Sequence, residues 1–150
     1  MTDPFYNDLA RGFEIEDKVL NQIRQRYPSA SLIHKYKGYD IWIPEIHKSM
    51  EVKYDPMSNV TGNIVIEIEM YGKRSALMAT TADYWAFYDD HIIQVMKPMD
   101  IVHCIFTNKL QYVEFTGNGD TVSKKAFLVP KDLLFAYGKQ LIEYWCSATN

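Results

Sequence analysis

Between residues 31 and 69 the sequence breaks into four short runs: Ser31 to His34, Tyr39 to Ile43, Met50 to Tyr54 and Asn63 to Glu69. Gly38, Pro44, Pro56 and Gly62 punctuate them, so each reads as a strand bounded by turns. Within Met50-Glu51-Val52-Lys53-Tyr54, apolar and charged residues alternate, as Ile64, Ile66 and Ile68 alternate with their neighbours. A strand has a side-chain period of two, so alternation assigns faces. Met50, Val52 and Tyr54 are expected on a core, with Glu51 and Lys53 together on the opposite face. Ile41 and Ile43 should point one way and Asp40 the other. A hairpin around Asp55 to Gly62 would bring Glu67 and Glu69 onto the face of Glu51 and Lys53.

The rest of the chain supplies the frame. Phe13, Glu16, Val19, Leu20 and Ile23 recur at helical spacing, and Pro28 ends that segment. Thr80 to Tyr88 and Ile92 to Val95 read as a strand pair turning at Asp89-Asp90. Asp100 to Asn108, just after Pro98, reads as a helix. Gln111 to Phe115 and Ala126 to Val129 read as two strands around Gly117-Asn118-Gly119-Asp120. Asp132 to Trp145 reads as a closing helix. This order predicts a single α+β domain over residues 1–150, with a mixed central sheet flanked by helices. A chain of 150 residues with 47% hydrophobic residues can bury a real core.

The net charge of −3 argues against a protein that coats nucleic acid non-specifically, but it leaves room for a site whose carboxylates are neutralised by metal. Cys104 and Cys146 cannot build a disulfide scaffold, which points to a reducing, cytoplasmic setting. The first ten residues resemble neither a signal nor a transit peptide. No apolar run approaches roughly 18 residues, so no membrane span is expected. His34, His47, His91 and His103 form no zinc pattern, and neither a phosphate-binding loop nor a nucleophile elbow is present.

Asp40, Glu51, Lys53 and Glu67 on one surface would suit phosphodiester hydrolysis. Carboxylate oxygens bind Mg²⁺ or Mn²⁺, and a backbone carbonyl such as that of Val52 can complete the shell. The metal lowers the pKa of a bound water, while a lysine orients or deprotonates that water. A Glu-x-Lys pair carries little weight alone. With 8 Glu and 12 Lys in the chain, usage predicts roughly 0.6 such pairs, and Glu16-Asp17-Lys18 is a second instance. The strand setting, the preceding Asp40 and the following Glu67 select the copy at 51–53.

Asp40, ten intervening residues and then Glu51-Val52-Lys53 resemble the signature of the PD-(D/E)XK nuclease superfamily. Tyr39 stands where that pattern has proline. Gly12, Glu16 and Val19 resemble the Gly-x-x-x-Glu-x-x-Val opening of junction-resolving and RecB-like members, and Ile15 to Val19 is similar to phage endonuclease I. Thr61-Gly62-Asn63, Thr80 to Trp85 and Lys125 to Pro130 look like small phage or viral members. The resemblance implies a restriction-endonuclease-like core and DNA hydrolysis, structure-selective or nicking, with DNA as partner and a homodimer as one assembly. It implies that Glu16 joins the metal site; a solvated helix carboxylate is the competing reading. Glu67 would assist the metal or simply pair with Lys53. Lys73, Arg74 and Ser75, with Lys124 and Lys125, would touch backbone phosphates or remain solvated. Tyr84, Trp85 and Phe87 are expected in the core. The competing class is a non-catalytic viral structural or interaction domain with a charged sheet face.

Overall fold

The computed structural model describes residues 4–33, 38–116 and 123–143. It is an α+β fold whose mixed six-stranded sheet lies between a long helix and a second, four-stranded sheet. The long helix, α1 (Pro4–Arg24), buries one stripe through Ile15, Val19, Leu20 and Ile23. Phe13, expected on that stripe, is instead 44% exposed, because the buried face runs through Ile15. The Arg24 side chain donates to the Ala30 carbonyl at 2.8 Å and closes the turn after the helix.

The six-stranded sheet is built from β1 (Ser31–Leu32), β2 (Ile41–Ile43), β3 (Lys48–Tyr54), β6 (Tyr84–Tyr88), β7 (Ile93–Met96) and β10 (Lys139–Gln140), in that order. Among the described residues only β3 and β6 run parallel, with Glu51 beside Trp85 and Lys53 beside Phe87. The β6 run Tyr-Trp-Ala-Phe-Tyr is apolar throughout, as a strand covered on both faces requires. Ala86 joins Ile41, Ile43, Met50 and Val95 under α1. Trp85 and Phe87 point the other way, into a core shared with the second sheet and with α3 (Pro98–Thr107). Both of these aromatics are buried as expected, while Tyr84 is half-buried.

The second sheet has the order β5 (Lys73–Arg74), β4 (Asn63–Met70), β9 (Ser123–Pro130), β8 (Tyr112–Thr116). The expected hairpin between β3 and β4 is therefore absent. β3 is paired by β2 and β6, and the intervening segment forms the short α2 (Ser58–Thr61). Gly62, at φ 75°, ends that helix and delivers the chain into the other sheet, where β4 pairs with β9 from Asn63 to Met70. Ile64 and Ile66 are buried as expected, but Glu67 and Glu69 belong to a different sheet from Glu51.

The β8–β9 hairpin is present, and its connecting turn lies outside the described residues, as do His34, Trp145 and Cys146. The single helix expected from Asp132 to Trp145 is interrupted: the short α4 (Lys131–Phe135) gives way to a turn and β10, residues 141–143 are again helical, and the remainder lies outside the described residues. Buried Gln94 donates to the Phe135 carbonyl at 2.8 Å, and a Cβ on Gly138 would stand 2.5 Å from the Val95 carbonyl oxygen. The sheet edge captures the chain there and overrides helical periodicity. Among the described residues, no helix is long and apolar enough to cross a membrane.

Candidate functional site

β3 outruns β2. Ile41 faces Met50 in their last ladder pair, while β6 accompanies β3 as far as Tyr54. The opposite edge of Glu51 to Tyr54 thus has no strand beside it among the described residues. Asp40, directly before β2, occupies the start of that free edge. Its N–H donates to the Met50 carbonyl at 3.0 Å, and its carbonyl accepts from the Ile33 N–H at 2.8 Å. Its side-chain Oδ2 accepts from the Val52 N–H at 2.7 Å. The N–H and C=O of a strand residue point to the same edge, so the Val52 carbonyl also lies on Asp40's side.

The alternation read from the sequence holds along β3. Met50 and Val52 pack toward α1, while Glu51 and Lys53 project to the face of Trp85. Tyr54 departs from expectation. Its hydroxyl meets Arg11 and Asp90, each at 2.9 Å, at the surface rather than in the core. Lys53 Nζ lies 3.3 Å from Glu51 Oε1 and 4.8 Å from the Trp85 ring centroid. The other oxygen, Oε2, is 3.4 Å from the Thr80 hydroxyl.

Electrostatics joins these groups across the edge. Burial raises the Asp40 carboxyl above its usual value, against the opposing pull of the Val52 N–H and Lys53. Glu51 is also raised, first by burial and then by Asp40, against the pull of Lys53 and Thr80. Glu16, reaching from α1, is pushed up to about 7 by burial, with Asp40 and Asp17 adding repulsion. These are half-buried carboxylates in mutual repulsion, as a cation-binding edge would have before its cation is counted. Asp40, Glu51 and the Val52 carbonyl are hard oxygen donors, which fit Mg²⁺ or Mn²⁺ in kind. Among the described residues no three His, Cys, Asp or Glu side chains converge as a metal-holding group by themselves. A shell here would use two carboxylates, a carbonyl and water.

The remaining candidates separate. Glu67 lines a hollow of about 400 Å³ together with Lys53, Trp85 and Phe87, but it reaches it from β4. Its Oε2 accepts from the Ser75 hydroxyl at 2.8 Å, so Ser75 serves Glu67. Lys73 and Arg74, expected to touch backbone phosphates or remain solvated, form β5, exposed at the edge of the second sheet. Lys125 is held by Glu69 at 3.2 Å and Glu114 at 3.7 Å. The sequence reading missed Thr80 as a partner of Glu51. It also placed Trp85 in the core without its second role beneath Lys53. Neither residue sits in a periodic pattern that would have exposed it. In comparisons with protein-family models, curated proteins and solved structures, the chain matches none.

Proposed function

We propose that this chain is a Mg²⁺- or Mn²⁺-dependent nuclease of the PD-(D/E)XK type with a restriction-endonuclease-like core. The observation that carries the reading is the free edge of β3, where Asp40, Glu51 and the Val52 carbonyl offer oxygen ligands and Glu16 approaches from α1. Asp40 and Glu51 would hold the ion, with the Val52 carbonyl and water completing the shell and Glu16 facing it from α1 outside the ligand set. Bound metal supplies an acidified water and neutralises charge on a phosphate. Lys53 would orient the attacking water and stabilise negative charge developing on the phosphate oxygens. The substrate we favour is DNA, cut in a structure-selective or nicking manner in the cytoplasm. A homodimer would place two such centres on two strands.

One observation favours a second reading, a non-catalytic interaction domain. All five residues of β8, Val113 among them, are exposed, and Val65 and Leu128 add apolar surface on the same sheet. Such an edge is a template for pairing with another chain. Incubation with Mn²⁺ and single-stranded, duplex and branched DNA, and with RNA, separates the two. The nuclease reading expects metal-dependent cutting that Glu51→Gln and Lys53→Ala abolish. A protein that leaves the whole panel intact is not a nuclease. Cutting that survives Lys53→Ala would move the centre elsewhere.

A further inference from the structure

Three groups meet at the Thr80 hydroxyl. The Trp85 indole Nε1–H donates to Oγ1 at 3.0 Å, and the Ala82 N–H donates to it at 3.2 Å. Neither of those groups can accept, and a hydroxyl has two lone pairs and one proton. Both lone pairs are therefore engaged, and the single O–H is left to point at Glu51 Oε2, 3.4 Å away. That contact is longer than an ordinary O–H···O bond, but its direction is fixed by the two donors behind it. Trp85 is 1% exposed, so it serves as the anchor. The same indole lies under Lys53, which holds the other Glu51 oxygen. One buried side chain thus braces the glutamate from both ends.

We propose that Thr80, aimed by Trp85, is a positioning residue that fixes the orientation of the Glu51 carboxylate for metal ligation. The proposal rests on the reading of the β3 edge as a metal centre. Partners that orient a ligand tune affinity without touching the ion, and their loss typically weakens binding by roughly ten- to a hundred-fold. Thr80→Val keeps the shape and removes the hydroxyl, whereas Thr80→Ser keeps the hydroxyl and removes the methyl.

Two measurements on the full chain test this. By calorimetry, Thr80→Val should weaken Mn²⁺ binding about ten-fold, and Thr80→Ser should stay within about two-fold of the parent. By NMR, Mg²⁺ should shift the Trp85 indole N–H resonance in the parent and in Thr80→Ser but not in Thr80→Val. With three tryptophans in the chain, that peak is identified by elimination in Trp42→Phe and Trp145→Phe variants. If Thr80→Val does not fold, Thr80→Ala, which leaves room for a water to take the indole N–H, carries the same comparison. Parent-like Mn²⁺ affinity in a folded hydroxyl-free variant overturns the positioning role, as does failure of serine to restore it. A parent chain that binds no Mn²⁺ at all overturns the metal-centre reading and the positioning role with it. The two failures are thereby distinguishable.

Discussion

The Val52 N–H donates to Asp40 Oδ2 at 2.7 Å, so the residue between Glu51 and Lys53 is fastened to the aspartate that precedes β2. Asp40 therefore caps a strand edge, and in the proposed nuclease it would also offer oxygen to a cation. Asparagine keeps an acceptor for the first role but lacks the negative charge that makes a carboxylate the stronger ligand for the second. Asp40→Asn should keep the parent's unfolding free energy, read by urea titration, within about 1 kcal/mol while cutting falls by at least about a hundred-fold. Asp40→Ala should lose cutting equally and cost an additional ~1–2 kcal/mol, because the Val52 N–H is left without its partner. Equal stability of the two variants would show that the capping bond contributes nothing.

Glu16 ties stability to pH. Its carboxyl is raised to about 7 in the folded chain, chiefly by burial and then by Asp40, whereas an unfolded glutamate titrates near ~4.3. The folded state therefore holds this proton more tightly. The stability it contributes is complete below the unfolded value and is lost as pH rises through about 7. Glu16→Gln removes the titration. Without added metal it should gain on the parent between pH 4.5 and pH 8 by on the order of 1–2 kcal/mol, since solvent screening trims a half-buried group. Urea unfolding at the two pH values reads this directly. A parent and variant that stay parallel would show that Glu16 is an ordinary solvated carboxylate.

Lys53 and Glu67 line the same hollow from different sheets, and their substitutions should diverge. Lys53→Ala should abolish measurable cutting, a loss of about a hundred-fold or more. Its stability should stay within about 1 kcal/mol, because the ion pair with Glu51 is partly solvated. Glu67→Gln should leave cutting within about three-fold, because that side chain is engaged by Ser75 rather than by Glu51 or Asp40. Parallel substrate titrations of both variants check the contrast. A Glu67→Gln variant as inactive as Lys53→Ala would put Glu67 in the reacting set.

Faces were legible in the sequence, and edges were not. Alternation in Met50 to Tyr54 correctly separated Met50 and Val52 from Glu51 and Lys53, because the pleat is local. The same alternation says nothing about which strand lies alongside. β3 therefore looked like the partner of β4, and it is the partner of β2 and β6. The positions of Asp40 and Glu16 could be inferred from a resemblance in spacing. Their interaction depends on α1 lying across an edge that β2 leaves free, which is a tertiary fact. The contact between Thr80 and Glu51 was invisible because it rests on a donor five residues onward and an acceptor on another strand.

The closing segment gives the sharpest test of tertiary override. Gly138 has no side chain to separate it from β7. An added Cβ would lie 2.5 Å from the Val95 carbonyl oxygen and within 3.2 Å of the Met96 side chain. Val95 pairs with Ala86 on one side and Lys139 on the other, so its carbonyl cannot retreat without disturbing both ladders. Gly138→Ala should therefore destabilise the fold by about 2–3 kcal/mol, a drop in Tm of roughly 5–10 °C for a chain of this size. It should do so although alanine is the better helix former in the segment where helical periodicity alone predicts a helix. Gly12→Ala is the matched control. Gly12 lies within α1 with nothing within 4 Å of an added Cβ. The substitution there should be neutral or should stabilise by up to ~1 kcal/mol. Differential scanning calorimetry of both variants decides it. A Gly138→Ala protein that melts with the parent would mean that β10 does not hold the chain against β7 in solution.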